Sequence, residues 1–474
     1  MSESAVTPDM RSRTNRPAEA VQPRESVQTS LAPGAVDPQT LVPIMLTFML
    51  RNIASNGFTF RDPTAPGDFS RDSKPGCVIA APSFPHQTPG IDQDYVFNWV
   101  RDGALTAMEV ARAGMPVGPD GTVDTLNDYV QFADLCHTNA RPTKGHACFR
   151  LDGESRPWTE QNDGPALQSI TILAAYDQLD IGTQKRAVDL VNSNTAFLLD
   201  VYKQVTTNLW EEHEGFTFFA RAAQLRCFEE IQATKIVGIN KPTGLKPAMK
   251  WLREALAGHW DGAKYVSMMA DPGGGAQPSP QHPIGNGYDP NIDIVQAALY
   301  GAVSFTDTKL LATAAQLRAQ WEEGGAAFYP VNRTDREQHG IGPLFGRYPG
   351  DTYDGDTSDA NFVGHPWALS TCNVAELHYK LAAEIKSAGT IPLDELSAPF
   401  FAQSHIDAST TPQAAAESLV STGDDMVQAV IYHSDHLELS EQFDSATGYE
   451  RSVRNLTWSY AAYLSAMRAR AEAV

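Results

Sequence analysis

The sequence is short of cysteine, of positive charge and of long apolar runs, and each shortage excludes a class of protein. Its five cysteines, Cys77, Cys136, Cys148, Cys227 and Cys372, are an odd number at wide spacing with no C-x-x-C pair. Neither a disulfide framework nor a zinc site is expected, and the five read as reduced, small core residues. Lys and Arg total 36 against 57 Asp and Glu, a net charge of −21 that repels nucleic acid phosphates and anionic lipid head groups. A neutral or cationic ligand is favoured. The longest apolar run near the start, 41–50, is broken by Pro43 and Thr47 and closed by Arg51, far short of the roughly 20 residues a membrane span needs. The polar, proline-rich opening lacks the pattern of a secretory signal, so a cytoplasmic location is expected.

Regular strand–helix alternation and short sequence repeats are also missing. What is present is apolar spacing of three and four residues, the mark of amphipathic helix. It predicts helices over 41–53, 103–113, 126–136, 166–179, 185–202, 218–234, 249–257, 292–303, 308–322, 367–386, 411–433 and 456–473. Cys77–Ala81 and Gly215–Phe219 read as short strands. The class is mainly α, and about twelve helices without a solenoid period favour a closed toroid. Residues 1–38 cannot bury enough apolar surface to offset ordering entropy and read as a disordered tail. No later linker is long enough to divide 39–474, which reads as one domain. The Ala270–Asp289 connection, with Gly273–Gly275, is long enough to carry function, but lacks the Gly-Lys-Ser/Thr ending of a phosphate loop.

Several loops join aromatic to charged residues. Trp210, Glu211 and Glu212 place two acids beside an indole, where an apolar surface and a second carboxylate disfavour ionisation and suit a general acid. On the triplet alone, a solvated acidic turn is the commoner use. The stretch Asp94–Asp102 alternates Tyr95, Phe97 and Trp99 with polar groups and ends on Arg101 and Asp102. Aromatic faces suit the C–H side of a pyranose and an Arg–Asp pair its hydroxyls, although a surface ion pair beside core aromatics is the plain alternative. Trp158 with Asp163, Arg347 with Tyr348 and Asp351-Thr352-Tyr353, and Trp367 after His365 repeat the combination. Turn chemistry, with Asp163 as a helix N-cap, explains the Pro, Gly and Asp of these loops but not their aromatics. Glu441 alone would be an ordinary exposed acid. His433 and His436 beside Asp435 lack a third ligand and read better as a solvated helix end than as a metal site.

Together these motifs are the inventory of a glycoside hydrolase, and their order resembles one family. The sequence is similar to glucoamylases, through Trp99-Val100-Arg101-Asp102, Asp163-Gly164-Pro165-Ala166-Leu167, Leu209-Trp210-Glu211-Glu212, Gly346-Arg347-Tyr348-Pro349, and Ser440-Glu441-Gln442 followed by Leu456-Thr457-Trp458-Ser459-Tyr460. The resemblance spans roughly residue 39 onward. It implies an (α/α)6 barrel and an inverting, exo-acting hydrolysis that releases β-D-glucose from the non-reducing end of α-linked glucooligosaccharides. It makes Glu211 the general acid and Glu441 the general base. It also places Tyr95 near the developing oxocarbenium, Arg101 and Asp102 on the terminal glucose, and Trp99 along that subsite. Arg347 would bond the same or the next sugar, Trp158 and Trp367 would pack against it, and Leu209, Trp210 and Glu212 would support substrate and acid.

No cofactor or metal is implied, since protonation and water attack need only carboxylates. The expected partner is an oligosaccharide, with neither nucleic acid nor membrane, and the oligomeric state is left unassigned. The 156–163 loop departs from the pattern of fungal starch enzymes, and no starch-binding module follows the last helix, so soluble oligosaccharides fit better than granular starch. Bonds of α-1,4, α-1,6 (isomaltose or dextran) and trehalose type all occur among such relatives. A non-catalytic carbohydrate-binding protein on the same toroid is the alternative from another class.

Overall fold

The computed structural model describes residues 31–65, 67–82, 95–115, 122–271, 273, 277–280, 285, 287–353 and 364–474. Each segment with periodic apolar spacing is a helix there, and the helices alternate between an outer and an inner layer. In chain order α1 (Val42–Leu50) lies outside and α2 (Val100–Arg112) inside, followed by α3 (Asp124–Asn139) and α4 (Gly164–Ala175). The pattern continues through α5 (Ile181–Val201), α6 (Phe218–Ala233), α7 (Leu245–Ala257), α8 (Asp293–Tyr300) and α9 (Thr308–Trp321). A short α10 (Pro330–Thr334) precedes inner α11 (Ala368–Ala388), and a short α12 (Ala398–Ala402) precedes outer α13 (Pro412–His433) and inner α14 (Thr457–Ala473). Each inner helix packs on the next, α2 on α4, α4 on α6, α6 on α8, α8 on α11, α11 on α14, and α14 back on α2. The ring is therefore closed, an (α/α)6 barrel.

The two layers differ in burial as their positions require. Outer α5 buries one stripe, Thr183, Ala187, Leu190, Val191, Asn194, Thr195 and Leu198, the 3.6-residue face of an amphipathic helix. Inner α2 is buried continuously from Arg101 to Val110, and α14 from Thr457 to Met467. Some buried polar groups of the inner helices find partners inside the ring: Gln296 of α8 donates to Asn373 of α11 at 3.1 Å, and Asn373 to Tyr300 at 3.0 Å. Gly423 lets α13 approach α11 closely, since a Cβ there would fall 2.7 Å from the Tyr379 ring.

Every inner helix enters the ring from the same side, and the loops leading into them are pinned by short antiparallel strands. Strand β1 (Asn98–Trp99) pairs with β2 (Cys148–Phe149), and β3 (Thr206–Thr207), β4 (Glu214–Thr217) and β5 (Met268–Met269) form a three-stranded sheet. Strand β6 (Gln442–Phe443) pairs with β7 (Glu450–Arg451). The expected Gly215–Phe219 strand stops at Thr217, whose hydroxyl caps α6 by accepting from Ala220 N. Cys77–Ala81 is extended rather than a strand, holding Phe97 and Tyr95 carbonyls through Ala80 and Ala81 N–H groups at 3.0 and 3.1 Å. All five cysteines are buried, and none is in a disulfide among the described residues.

Of the expected tail, 1–30 lie outside the described residues, while its last part is tied down. Gln428 of α13 binds Gly34 and Val36, Tyr463 of α14 donates to the Pro38 carbonyl at 2.7 Å, and Asp37 lies 3.5 Å from Arg470. Asp94 and most of the loop around Gly273–Gly275 also fall outside the described residues. Among the described residues no helix is long and apolar enough to cross a membrane.

Candidate active site

Strands β3 and β4 form a hairpin whose tip, 208–213, carries Leu209, Trp210, Glu211 and Glu212. Asn208 shapes the tip: its side-chain carbonyl accepts from the N–H groups of Glu212 and His213 at 2.8 and 3.1 Å, and its backbone carbonyl from Glu211 at 3.1 Å. Glu211 is held at φ +64°, a left-handed conformation that costs a non-glycine residue about 1 kcal/mol or more. The consequence is that the adjacent acids diverge. Glu211 Oε2 accepts from the Trp158 indole at 2.7 Å and Oε1 lies 3.7 Å from Arg101, whereas Glu212 binds Arg347 at 2.8 Å and the Tyr348 hydroxyl at 2.7 Å.

Burial raises the Glu211 pKa to about 7, with Arg101 and the Trp158 N–H opposing and Asp102 adding to the rise. The second carboxylate that favours its protonation is thus Asp102, not Glu212 as the sequence suggested, because the turn sends Glu212 elsewhere. Nor is the triplet simply a solvated turn: Trp210 is buried and Glu211 half-buried, and Glu212, though exposed, is bonded to Arg347 and Tyr348. Arg101 and Asp102 are also buried, 3.4 Å apart, rather than a surface pair. Gln161 accepts from Arg101 at 3.1 Å and donates to the Asn208 carbonyl at 2.6 Å, fixing the arginine to the hairpin tip. Asp163 does not cap α4 with its side chain. It is buried and faces Arg101 instead; burial raises its pKa against that charge.

The second carboxyl, Glu441, precedes the β6–β7 hairpin. Its N–H donates to the Val453 carbonyl at 2.8 Å, which brings Ser452 across from it. Only 3% of Glu441 is exposed. Three hydroxyls donate to it: Tyr95 to Oε1 at 2.8 Å, Tyr353 to Oε2 at 3.4 Å, and Ser452 to Oε2. Burial pushes its pKa up to about 7 against those bonds and the Arg347 charge. An aromatic path joins the two carboxyls: the Tyr353 and Tyr95 hydroxyls lie side by side, Tyr95 lies 6.4 Å from Trp99, and Trp99 packs edge-on to Trp158 at 5.7 Å.

Trp210 forms the wall between two arginines. It stacks on Trp458 at 6.3 Å, packs against Trp367 at 5.7 Å, and donates to Asn291 at 3.2 Å. Arg101 lies 5.0 Å from the Trp458 ring, and Arg347 lies 5.1 to 5.3 Å from the rings of Trp210, Trp367, Tyr348 and Tyr353. Asp351, fully buried, grips Arg347 through two bonds of 2.8 and 2.6 Å. Burial opposes the Arg347 charge, but Asp351 and Glu212 hold its pKa well above the usual value. Such planar, two-bond pairs preorganise a guanidinium.

The family model for glycosyl hydrolases family 15 matches residues 46–468. The chain belongs to that family. As a family 15 member it is a glycoside hydrolase. Curated relatives include a glucoamylase of Blastobotrys adeninivorans, 27% identical over 88% of this chain and 70% of its own length. A probable glucoamylase of Schizosaccharomyces pombe is 26% identical over 90% of this chain and 89% of its own. The solved glucoamylase of Saccharomycopsis fibuligera superposes with a TM-score of 0.73 at 21% identity, covering 94% of this chain and 98% of that one. That likeness speaks to the barrel.

In this family 15 chain the structure brings the candidate residues to one end of the barrel, at the starts of the inner helices. Three participants were not singled out from sequence: Gln161, Asn208 and Ser452. The sequence places Asp351 and Tyr353 with the Arg347 loop, though without the bonds they make to Arg347 and Glu441, whereas Ser452 offers no signal. His433 is not a solvated helix end. It is buried and bonded to Asp335 at 2.9 Å, while His436 lies beyond the helix and faces Asp435.

Proposed function

We propose that the chain is an inverting, exo-acting glucosidase that releases β-D-glucose from the non-reducing end of α-linked glucooligosaccharides, α-1,4 bonds first. The observation that carries this reading is a pair of carboxyls, half-buried Glu211 and buried Glu441, on separate loops of one aromatic-walled site, each raised to about 7. Glu211 is the general acid: Trp158 occupies Oε2, and Oε1 is left to pass its proton to the glycosidic oxygen. Glu441 is the general base, its carboxylate steadied by the Tyr95, Tyr353 and Ser452 hydroxyls while it takes a proton from the attacking water. Inversion requires room for that water between the two carboxyls.

The Tyr95 hydroxyl stays protonated because burial and Glu441 raise its pKa, and its oxygen faces the side where positive charge develops. Arg101, Asp102 and Arg347 are 7%, 5% and 3% exposed, so charged groups close the inner end of the site. A closed inner end admits one terminal sugar, which supports exo-action. Trp99, Trp158 and Trp367 line the subsite, and Leu209, Trp210 and Glu212 support it.

The test is a panel of maltose, maltotriose, isomaltose, isomaltotriose, panose and trehalose, with proton NMR recording the first anomer released. β-Glucose from maltose is expected. α-Glucose appearing first overturns inversion, and release from isomaltose alone reassigns the linkage. Glu211→Gln and Glu441→Gln should each lose about 100- to 10,000-fold in turnover. Near-normal turnover in either removes the role given to it.

A further inference from the structure

Beside β4, the second strand of the hairpin that carries Glu211, one buried arginine has no counter-charge, and we propose that Arg221 is the base of a binding site for a carboxylate-bearing small molecule. Arg221 is the fourth residue of α6 and only 5% exposed. Its Nη1 donates to His259 Nε2 at 2.9 Å. His259 holds the Val266 carbonyl through Nδ1 at 2.7 Å, and burial with the Arg221 charge depresses its pKa to about 3. The imidazole is therefore neutral and brings no negative charge. Burial lowers the Arg221 pKa to about 10, and no acid opposes it.

The atoms left over are Nε and Nη2. Together they are the edge on which a guanidinium holds a planar carboxylate with two parallel bonds, and this chain uses that edge twice. Arg347 fills it with Asp351 at 2.8 and 2.6 Å, and Arg470 with Asp424 at 2.7 and 2.8 Å. Arg221 presents the same two donors to no acceptor among the described residues, yet neither is an enclosed polar atom lacking a partner, so both reach solvent. The acids of the adjoining helices are engaged elsewhere, Glu229 with Arg253 at 2.5 Å and Glu254 3.9 Å from Lys250.

Two features make the missing anion conspicuous. A buried charge without a partner is costly, and a cation in the first turn of a helix also opposes the positive end of the dipole; α6 has no acid in that turn to offset it. Aromatic rings supply part of the compensation. The Arg221 guanidinium lies 5.0 Å from the Phe216 ring and 5.3 Å from that of Trp251, and such contacts favour a cation, but a ring face is a weak acceptor for N–H groups. Trp251 meets Tyr202 edge-on at 5.4 Å, and Lys203 Nζ lies 5.3 and 5.7 Å from the Tyr202 and Trp251 rings. A second cation thus stands on the rim, in a chain whose net charge is −21. Tyr202, Phe216 and Trp251 are each half-buried, and their exposed parts give apolar walls to whatever carries the carboxylate.

Calorimetric titration of the full chain with sodium acetate, sodium glucuronate and inorganic phosphate, against sodium chloride at matched ionic strength, tests the proposal. The variant is Arg221→Gln, outside the candidate active site, with thermal unfolding as the check on folding. Saturable binding of acetate or glucuronate is expected, unaffected by added glucose and weakened about tenfold or more in the variant, the equivalent of one charge-assisted bond. Tighter binding of glucuronate identifies a sugar acid, and equal binding a free carboxylate. No binding of either carboxylate, wild-type affinity in the variant, displacement by glucose, or tighter binding of phosphate than of both carboxylates overturns the assignment. Should Arg221→Gln fail to fold, Arg221→Lys keeps the charge without the two-donor edge and decides in the same way.

Discussion

Removing one hydroxyl from beside Glu441 should move one side of the pH profile and leave the other in place. Ser452 donates to Glu441 Oε2 and holds its pKa down against burial. A hydrogen bond to a charged acceptor contributes about 1.5 to 3 kcal/mol, and one pKa unit corresponds to about 1.4 kcal/mol. Tyr353, 3.4 Å from the same oxygen, can close in and recover part of the loss. Ser452→Ala should therefore raise the Glu441 pKa by about one unit. In kcat/KM the acidic limb reports the base of the free enzyme and the alkaline limb its acid, so the acidic limb moves up by that amount and the alkaline limb stays. Trp158→Phe makes the reciprocal change. It keeps a ring but removes the N–H that donates to Glu211 at 2.7 Å, which raises the acid's pKa and carries the alkaline limb upward. With both groups at about 7, on the order of a quarter of molecules hold the productive proton arrangement at the optimum, and the bell is narrow. The assay is initial rate at low substrate from about pH 4 to about pH 9, spanning both limbs. Interchanged limbs would reverse acid and base; two unmoved limbs would refute the electrostatic argument.

Arg347→Lys keeps a positive charge but gives up the two-bond grip on fully buried Asp351. Denaturant unfolding should show a loss of about 1.5 to 3 kcal/mol, the contribution of the charge-assisted bonding given up, and wild-type stability would refute the cage. For Glu441 the folded pKa of about 7 lies above the ordinary 4.5, so between those values the folded chain binds more protons than the unfolded one. Stability then falls as pH rises through that interval, at a cost of roughly 3 kcal/mol above it. Glu441→Gln cannot ionise; it should be more stable than the parent at about pH 8 and lose that advantage toward about pH 5. Parallel stability curves would count against the buried charge.

The barrel was legible because its twelve longer helices carry apolar spacing over eight or more residues, long enough for a period to register. The five-residue α10 and α12 are shorter than that window and left no trace. The site was legible where partners are sequence neighbours, as with Arg101 and Asp102. It was hidden where a turn decides direction: nothing in Glu211-Glu212 announces a positive φ that points one acid at Arg101 and the other at Arg347. Ser452 is hidden for a related reason, since it meets Glu441 only through the register of the β6–β7 hairpin. The docking of 34–38 went unread because it rests on single bonds from Gln428, Tyr463 and Arg470, nearly four hundred or more positions away.

Glu211 sits on the loop before α6, and Glu441 on the segment before α14, the helix that meets α2 and completes the circle. A growing polypeptide therefore carries the proposed acid, Glu211, long before the proposed base, Glu441, and the wall residue Trp458 emerges later still. On the proposed roles, turnover is expected only once these two distant parts of the chain have met across the closing contact of α14 with α2.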